Sequence, residues 1–527
     1  MTITKRLLAA LTGGCLCIAA SAQIDRGYQN PIIPGMYPDP SVCRVGNDYY
    51  LVNSTFQYFP GVPIFHSNDL IHWNQIGNVL DRPSQLPLKN ANAWLGIYAP
   101  TIRYNNGTYY MVTSNIGNSN GTKSNFFVTA TDPAGPWSEP IWLDQGGIDP
   151  SFYFEDGKCY FTSNPDIGIW LCEIDPKTGE QLTESKLIWE GTGGRHPEAP
   201  HIYKKDGYYY LVIAEGGTEM GHMVTIARSR DIYGPYEVNP DNPILYHQRK
   251  ITQASPIQGT GHADLVQAAD GSWWMVCLAF RPQINGMHLT GRETYLAPVE
   301  WNADGWPVVN GNGTISIDMD VPTLPQTPAK SREAVYDFAR MTGFGHEWVH
   351  LRNPHFENYR FTSRGLELTG TSATMTSIES PTFAALRQQD IDFALTSTFS
   401  MIDASPGAEA GISIYMDVTS HYDLFIRENA DSTQSLVLSY QLHSISGNKA
   451  IVPLPAGENV TVKIDGKDDR YTFSYSTGGA EFTTLGSLDT RFLSTETAGG
   501  FTGVTIGAFA SGHCTGIFRN LSYTPAK

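Results

Sequence analysis

An all-β chain is predicted, a five-bladed β-propeller followed by a β-sandwich of jelly-roll type, and three observations predict it. A short phrase recurs five times, at Asp39-Pro40-Ser41-Val42, Ala99-Pro100-Thr101-Ile102, Asp149-Pro150-Ser151-Phe152, Ala199-Pro200-His201-Ile202 and Ala263-Asp264-Leu265-Val266. Ten residues after the second position of each copy stands an aromatic: Tyr50, Tyr110, Tyr160, Tyr210 and Trp274. Between phrase and aromatic lies a turn pair, Gly46-Asn47, Asn106-Gly107, Asp156-Gly157, Asp206-Gly207 or Asp270-Gly271. Such pairs supply the positive φ angles of tight hairpins, so each copy reads as strand, turn, strand. Hairpins repeated at this spacing cannot bury their faces alone and stack radially, one blade per copy. Later in the chain the repeat is gone but period-two alternation persists, as in Phe393-Ala394-Leu395-Thr396-Ser397 and Gly411-Ile412-Ser413-Ile414, the pattern of half-buried strands.

Taken in order, the first residues carry Lys5 and Arg6, the apolar run Leu7 to Ala20 and the small-x-small end Ala20-Ser21-Ala22. That is the plan of a secretory signal peptide over residues 1–22, and the run is shorter than the ~20 apolar residues of a spanning helix. Export to the periplasm or the medium is expected, with no membrane attachment after cleavage. The propeller is assigned to residues 26–317. Pro322, Pro325 and Pro328 among Thr, Gln and Ser mark a linker at 318–334, and residues 335–527 are assigned to the sandwich. Cleavage leaves Cys43, Cys159, Cys172, Cys277 and Cys514, an odd and sparse set that is no disulfide framework. Cys159 and Cys172 fall on neighbouring strands and could pair; buried free thiols are the expected state. No Cys/His cluster has zinc spacing.

At 527 residues with a formal net charge of −17, the chain is long enough for two domains and too acidic for a nucleic-acid partner, since a phosphate backbone is held by clustered Lys and Arg. A neutral polymer or small polar substrate fits better. In a propeller the inner strands converge on one axis, so equivalent positions of different copies become neighbours in space. The residue before the second position is Asp39 in the first copy and Asp149 in the third, against alanine in the other three. One place earlier stand Glu198 in the fourth copy and His262 in the fifth. Three carboxylates and a histidine are thereby expected to face one axis. Asp-Pro is also a common turn dipeptide, and Asp132-Pro133 and Asp175-Pro176, which fall outside the repeat register, are assigned to turns.

Clustered carboxylates suit glycoside hydrolysis, in which one stays protonated to assist the leaving oxygen and another stays ionised to activate water or attack the sugar. Ionised neighbours and a partly dry pocket raise the pKa of the group meant to be the acid. Tyr37, Phe56, Tyr58, Phe59 and Tyr98 lie close in sequence to the repeat starts and offer stacking surfaces for a sugar ring, although each is also a candidate for packing between blades.

The stretches Tyr37-Pro38-Asp39-Pro40-Ser41, Ser54-Thr55-Phe56-Gln57-Tyr58-Phe59-Pro60-Gly61-Val62, Ile148-Asp149-Pro150-Ser151, Pro197-Glu198-Ala199-Pro200, Gly261-His262-Ala263-Asp264 and Gly291-Arg292-Glu293-Thr294 resemble, in this order, glycoside hydrolase family 43. Those are five-bladed enzymes that release xylose or arabinose from plant polysaccharides. The resemblance implies that Asp39 is the general base, Glu198 the general acid and Asp149 the third carboxylate, which tunes and orients the acid. It implies inversion, with base and acid roughly 6.5 to 9.5 Å apart so that a water fits between. It also implies substrate contacts from Arg292, whose planar donor fork suits sugar hydroxyls, and from His262, Phe56 and Tyr98. No cofactor is required; in some members the histidine helps hold Ca2+ through water, so a structural Ca2+ ion is a further expectation at His262.

Tyr98 stands where the best known β-xylosidases of the family tend to carry tryptophan, which bears on sugar preference. Glu347-Trp348-Val349-His350-Leu351-Arg352-Asn353-Pro354 and Leu386-Arg387-Gln388-Gln389 resemble the concanavalin-like C-terminal domain of the β-xylosidase branch. There a sandwich loop sends an aromatic into the pocket mouth, and Phe501 in Gly499-Gly500-Phe501-Thr502-Gly503 is the match. The resemblance implies a secreted exo-glycosidase acting on xylo-oligosaccharides or arabinoxylan, β-xylosidase slightly ahead of α-L-arabinofuranosidase. A binding protein that no longer cleaves is opposed by the presence of all three carboxylates. A retaining fructan hydrolase is opposed by the absence of Asn-Asp-Pro-Asn and Arg-Asp-Pro stretches.

Overall fold

A computed structural model describes residues 27–89, 91–118, 121–248, 256–283, 286–320, 324 and 332–526, so the signal segment 1–22 and most of the expected linker lie outside the described residues. Five antiparallel sheets follow one another along the chain, with inner strands Ser41–Val45, Thr101–Asn105, Ile148–Glu155, Glu198–Lys205 and Gln258–Gln267. Every copy of the repeated phrase is thus an inner strand, and these strands touch in a ring. Tyr50, Tyr110, Tyr160 and Tyr210 sit on the second strand of their blades, opposite Cys43, Arg103, Tyr153 and Tyr203. The middle three hairpins turn as their sequences require, with φ of 50° and 86° at Asn106-Gly107, 50° and 80° at Asp156-Gly157, and 50° and 77° at Asp206-Gly207. Asp132 and Asp175 cap turns with their side chains, accepting from the amides of Ala134 and Lys177.

Apolar side chains fill each gap between blades. Val52, Ile64, Ile102 and Phe126 pack the first gap, Phe127, Phe152 and Phe161 the second, Leu171, Ile202 and Leu211 the third, Val212, Met275 and Tyr295 the fourth. The fifth closes the ring. There Tyr28, Leu51, Val276, Leu296 and Met319 pack together, and the strand Gly27–Gln29 pairs with Asp318–Asp320. The linker expected at 318–334 therefore begins later than the proline density suggested. Met319 is buried in this last gap, and that burial draws residues 318–320 into the propeller.

The sandwich has two antiparallel sheets. One runs Tyr359–Thr362, Gly365–Thr369, Thr515–Pro525, Phe393–Ile402, Val460–Lys467, Arg470–Thr477, Thr483–Asp489, with Ala334–Asp337 also beside Thr515–Pro525. The other runs Thr382–Arg387, Thr505–Ser511, Glu409–Asp417, Ser420–Glu428, Gln434–Leu442, Ile445–Leu454. The inward residues of the alternating runs, such as Leu395, Phe399, Ile412 and Ile414, form the core between them. The four-residue turn Thr495–Ala498 is the one α-helix among the described residues.

The two domains share a seam. His350–Leu351 pairs with Tyr58–Phe59 of the first blade, and the fully buried Arg352 donates its amide to the Gln57 carbonyl at 2.8 Å. Arg387 lies 4.4 Å from the centre of the Tyr37 ring. Tyr37, Tyr58 and Phe59 are consequently packing residues and not part of a sugar platform. All five described cysteines are buried free thiols; Cys159 pairs in register with Ile174, and Cys172 with Phe161.

Candidate active site

At the mouth of the axis the inner strands leave regular geometry. Asp39, Asp149, Ala199 and His262 have φ of 54°, 53°, 56° and 44°, and the pairing register slips between Ile148 and Ser151, between Glu198 and His201, and between Gln258 and Ala263. Left-handed backbone at a non-glycine residue costs about 1–3 kcal/mol, and a bulge re-aims the side chains around it. Aspartate tolerates this region better than most residues, which suits the first and third copies. In the fourth copy the kinked residue is Ala199, and the carboxylate that reaches the cavity is its predecessor Glu198.

These side chains enclose an inner cavity of about 70 Å³ lined by Asp39, Phe56, Tyr98, Asp149, Glu198, Thr218, His262, Arg292 and Phe501 together with Ala99 and Ile148. All eight residues proposed from the sequence meet here. The cavity opens past Glu198, Thr218, Arg292 and Phe501 into an outer space of about 980 Å³. A separate groove of about 470 Å³ at the domain seam, lined by Phe59, Phe344 and Phe356 among others, contains none of the four axis residues.

Asp39 is held as an anion. Arg292 Nη1 donates to its Oδ1 at 3.0 Å and Ser54 Oγ donates to its Oδ2. Burial pushes its pKa up, but Arg292, then His262 and the Ser54 bond, outweigh burial and leave it below the ordinary aspartate value of 3.8. Asp149 is the opposite case. Its Oδ2 accepts the Ala199 amide at 3.2 Å, while burial first, then the charges of Glu198 and Asp39, push its pKa well above 3.8. Asp149 is the deeper of the two neighbours, its side chain 7% exposed against 16% for Glu198.

Glu198 Oε1 stands 3.4 Å from Nε2 of the buried His222. His262 Nδ1 lies 3.6 Å from Asp39 and 3.9 Å from Asp149, and burial lowers its pKa, so it is neutral. Burial, with Asp149 second, pushes the Tyr98 hydroxyl up to about 12, and that hydroxyl donates to the Trp94 carbonyl at 2.6 Å. Arg292 also donates to Thr218 Oγ1 at 2.9 Å and to the Phe501 carbonyl at 3.3 Å.

Phe501 comes from the sandwich. Its amide donates to the Ala93 carbonyl at 2.8 Å, and its ring centre is 5.0 Å from Trp94, 5.7 Å from Phe56 and 5.8 Å from Tyr98. Gly499 and Gly500 make this approach possible: their φ values are 82° and 92°, and a Cβ on Gly500 would stand 2.6 Å from that of Ala93. Trp94, Ser54, Thr218 and His222 were given no role by the sequence reading. They carry no repeat signal and reach the site through tertiary approach, as where a Cβ on Gly261 would strike the His222 ring at 2.2 Å.

A Ca2+ ion held through water at His262 would have to draw its other ligands from waters and carbonyl oxygens. Such an ion takes six to eight oxygens, and among the described residues no group of three or more His, Cys, Asp or Glu side chains could hold a metal.

Comparison with known proteins agrees with this architecture. The model of glycosyl hydrolases family 43 matches residues 28–307, and that of the β-xylosidase C-terminal concanavalin A-like domain matches 335–517. A non-reducing end α-L-arabinofuranosidase of Bacteroides ovatus is 42% identical, over 96% of this chain and 95% of its own. A xylosidase/arabinosidase of Butyrivibrio fibrisolvens is 38% identical, over 92% of this chain and 95% of its own. Among solved structures, a xylan β-1,4-xylosidase from Bacillus halodurans superposes with a TM-score of 0.88 at 32% identity, covering 94% of this chain and 100% of that one. With both domain models matched in order and a relative of 42% identity spanning nearly the whole length, the chain belongs to glycoside hydrolase family 43 and is a glycoside hydrolase.

Proposed function

We propose that the enzyme is an exported, inverting exo-glycosidase that removes one terminal pentose at a time, α-L-arabinofuranose ahead of β-D-xylose, from arabinoxylan-type chains and their oligosaccharides. The observation that carries this reading is the group of three carboxylates around one narrow cavity, Asp39 with its pKa held down and Asp149 with its pKa pushed up, capped by Phe501 from the second domain. Asp39, ionised and anchored by Arg292, takes a proton from water as the water oxygen attacks the anomeric carbon. Burial beside two other carboxylates keeps a proton on the Asp149–Glu198 pair. Glu198, the member on the rim of the outer space, hands that proton to the departing oxygen as the glycosidic bond breaks. The cap favours chain ends over internal bonds. The order of sugars reverses the preference read from the sequence, because the relative at 42% identity is named an arabinofuranosidase and the one at 38% a xylosidase/arabinosidase.

The test is a screen of nitrophenyl α-L-arabinofuranoside and β-D-xylopyranoside beside native arabinoxylan, with proton NMR of the first sugar released. Cleavage of the arabinofuranoside with the anomer inverted is the expected result. A retained anomer, internal cleavage of the polymer, or no cleavage of either glycoside would overturn the reading. Export predicts that N-terminal sequencing of the mature protein starts at Gln23.

A further inference from the structure

The sandwich loop that carries Phe501 is gripped a second time, away from the cavity. His288 of the propeller donates its backbone amide to Glu496 Oε2 at 3.0 Å, and its Nδ1 lies 2.6 Å from Glu496 Oε1. Its carbonyl accepts the Thr495 amide at 3.2 Å. The imidazole plane is fixed by Phe280, with ring centres 4.1 Å apart and 14° between planes. The side chain of His288 is 6% exposed and that of Glu496 33%.

The same propeller segment holds the far end of the loop. The Leu289 carbonyl accepts the Val504 amide at 2.9 Å, and Gly291 meets Gly503 so closely that a Cβ on Gly503 would stand 2.6 Å from the Gly291 nitrogen. One residue on, Arg292 donates to the Phe501 carbonyl and to Asp39. Residues 288–292 therefore fasten the loop at 495–496 and at 503–504, and touch the Phe501 carbonyl between those ends. Asp39 hangs on the same guanidinium.

We propose that His288 and Glu496 are positioning residues, a latch that sets the place of Phe501, and through it of Arg292, over the sugar in the inner cavity. Neither is a catalytic residue: both line the outer space, not the inner cavity. The pair is also separate from the seam that joins the domains, where His350–Leu351 pairs with Tyr58–Phe59 and Arg352 is buried. Opening the latch therefore loosens the cap and leaves both domains folded. The cap keeps the Phe501 amide bond to Ala93 and its contact with Trp94, so the loss is partial.

The kinetic arm of the test rests on the glycosidase reading above; the exchange arm does not. In Glu496→Ala, KM for the pentoside should rise about five- to tenfold with kcat within about twofold, and inhibition by the released pentose should weaken in parallel, as expected when binding rather than chemistry is lost. Glu496→Gln keeps an acceptor for His288 and should recover most of that loss. Hydrogen exchange across residues 494–503 of the ligand-free protein should speed up in the alanine variant while the thermal midpoint stays near wild type. If wild type cleaves no pentoside, the function reading fails and exchange alone decides the latch. If wild type is active and Glu496→Ala matches it in KM and in exchange, the latch is wrong.

Discussion

Asp264 and Asp149 are both buried on inner strands of the propeller, and they differ in what surrounds them. Asp264 takes Arg103 Nη1 at 2.8 Å and Nη2 at 3.3 Å, Ser41 Oγ at 2.7 Å, the Val42 amide at 3.0 Å and the Tyr203 hydroxyl. Burial pushes its pKa up, but Arg103, then His201 and the bonds to Arg103 and Ser41, hold it far below the carboxylate range. Asp149 has one amide donor and faces Glu198 and Asp39. Around Asp264 donors match lone pairs and a cation matches the charge. At the mouth three carboxylates line one cavity with Arg292, the one guanidinium there among the described residues, which pairs with Asp39, and His262 beside them is neutral. A buried carboxylate that is fully paired belongs to the scaffold; an unbalanced group is held ready for proton transfer.

The widest break between the two regions is kinetic. Asp39→Ala, Asp149→Ala and Glu198→Ala are each expected to lower kcat/KM on a cleaved nitrophenyl pentoside by about 10²–10⁴-fold, the usual worth of a positioned acid or base, with the circular dichroism spectrum unchanged. A variant of the three that keeps near wild-type turnover would remove its residue from the mechanism. Asp264→Asn should behave otherwise. It leaves the Arg103 charge without a counter-ion, at a cost of roughly 3–5 kcal/mol of stability by urea unfolding, and the folded fraction should keep a kcat close to wild type.

The two aspartates should also give stability a pH dependence of opposite sign. Asp264 has a depressed folded pKa, so its contribution is present above the ordinary value of 3.8 and fades as pH falls below it; the deficit of Asp264→Asn should shrink there. Asp149 has a raised folded pKa, so the native state binds the extra proton and loses stability as pH climbs above 3.8. Asp149→Asn should therefore have a higher unfolding midpoint than wild type at neutral pH, an advantage that vanishes below 3.8. Equal pH profiles for the two variants would erase the distinction between paired and unpaired layers.

The mouth was legible in the sequence because it is written as deviations from a repeat. Register alone aligned Asp39, Asp149, Glu198 and His262, and the structure places all four on one cavity. What register cannot carry is depth and partnership. It counted the carboxylates but could not tell that Asp149 sits deeper than Glu198, so the raised pKa of Asp149, pushed up first by burial, was not legible there. Arg103 meets Asp264 across 161 residues and His288 meets Glu496 across 208, distances over which no local pattern constrains a pair. Asp318–Asp320 read as linker for the same reason, because its partner strand Gly27–Gln29 lies at the far end of the domain. Phe501 was found only through resemblance, since nothing in Gly499-Gly500-Phe501 says which domain it caps.

Tyr98 offers the smallest break, and it separates contact with the sugar from support of the cavity wall. Its ring centre lies 5.4 Å from Phe56 and 5.8 Å from Phe501, while its hydroxyl is turned to the Trp94 carbonyl at 2.6 Å. Tyr98→Phe keeps the ring and removes one neutral hydrogen bond, worth about 0.5–1.5 kcal/mol, so kcat/KM should fall by about two- to tenfold. Because the lost bond holds Trp94 and not substrate, the fall should be the same for arabinofuranoside and xyloside. Tyr98→Trp changes the shape of the wall itself and should alter the ratio between the two sugars. If the phenylalanine variant moved that ratio as far as the tryptophan variant does, the hydroxyl would have to meet the sugar directly, and Tyr98 would join Arg292 among the groups that read its hydroxyls.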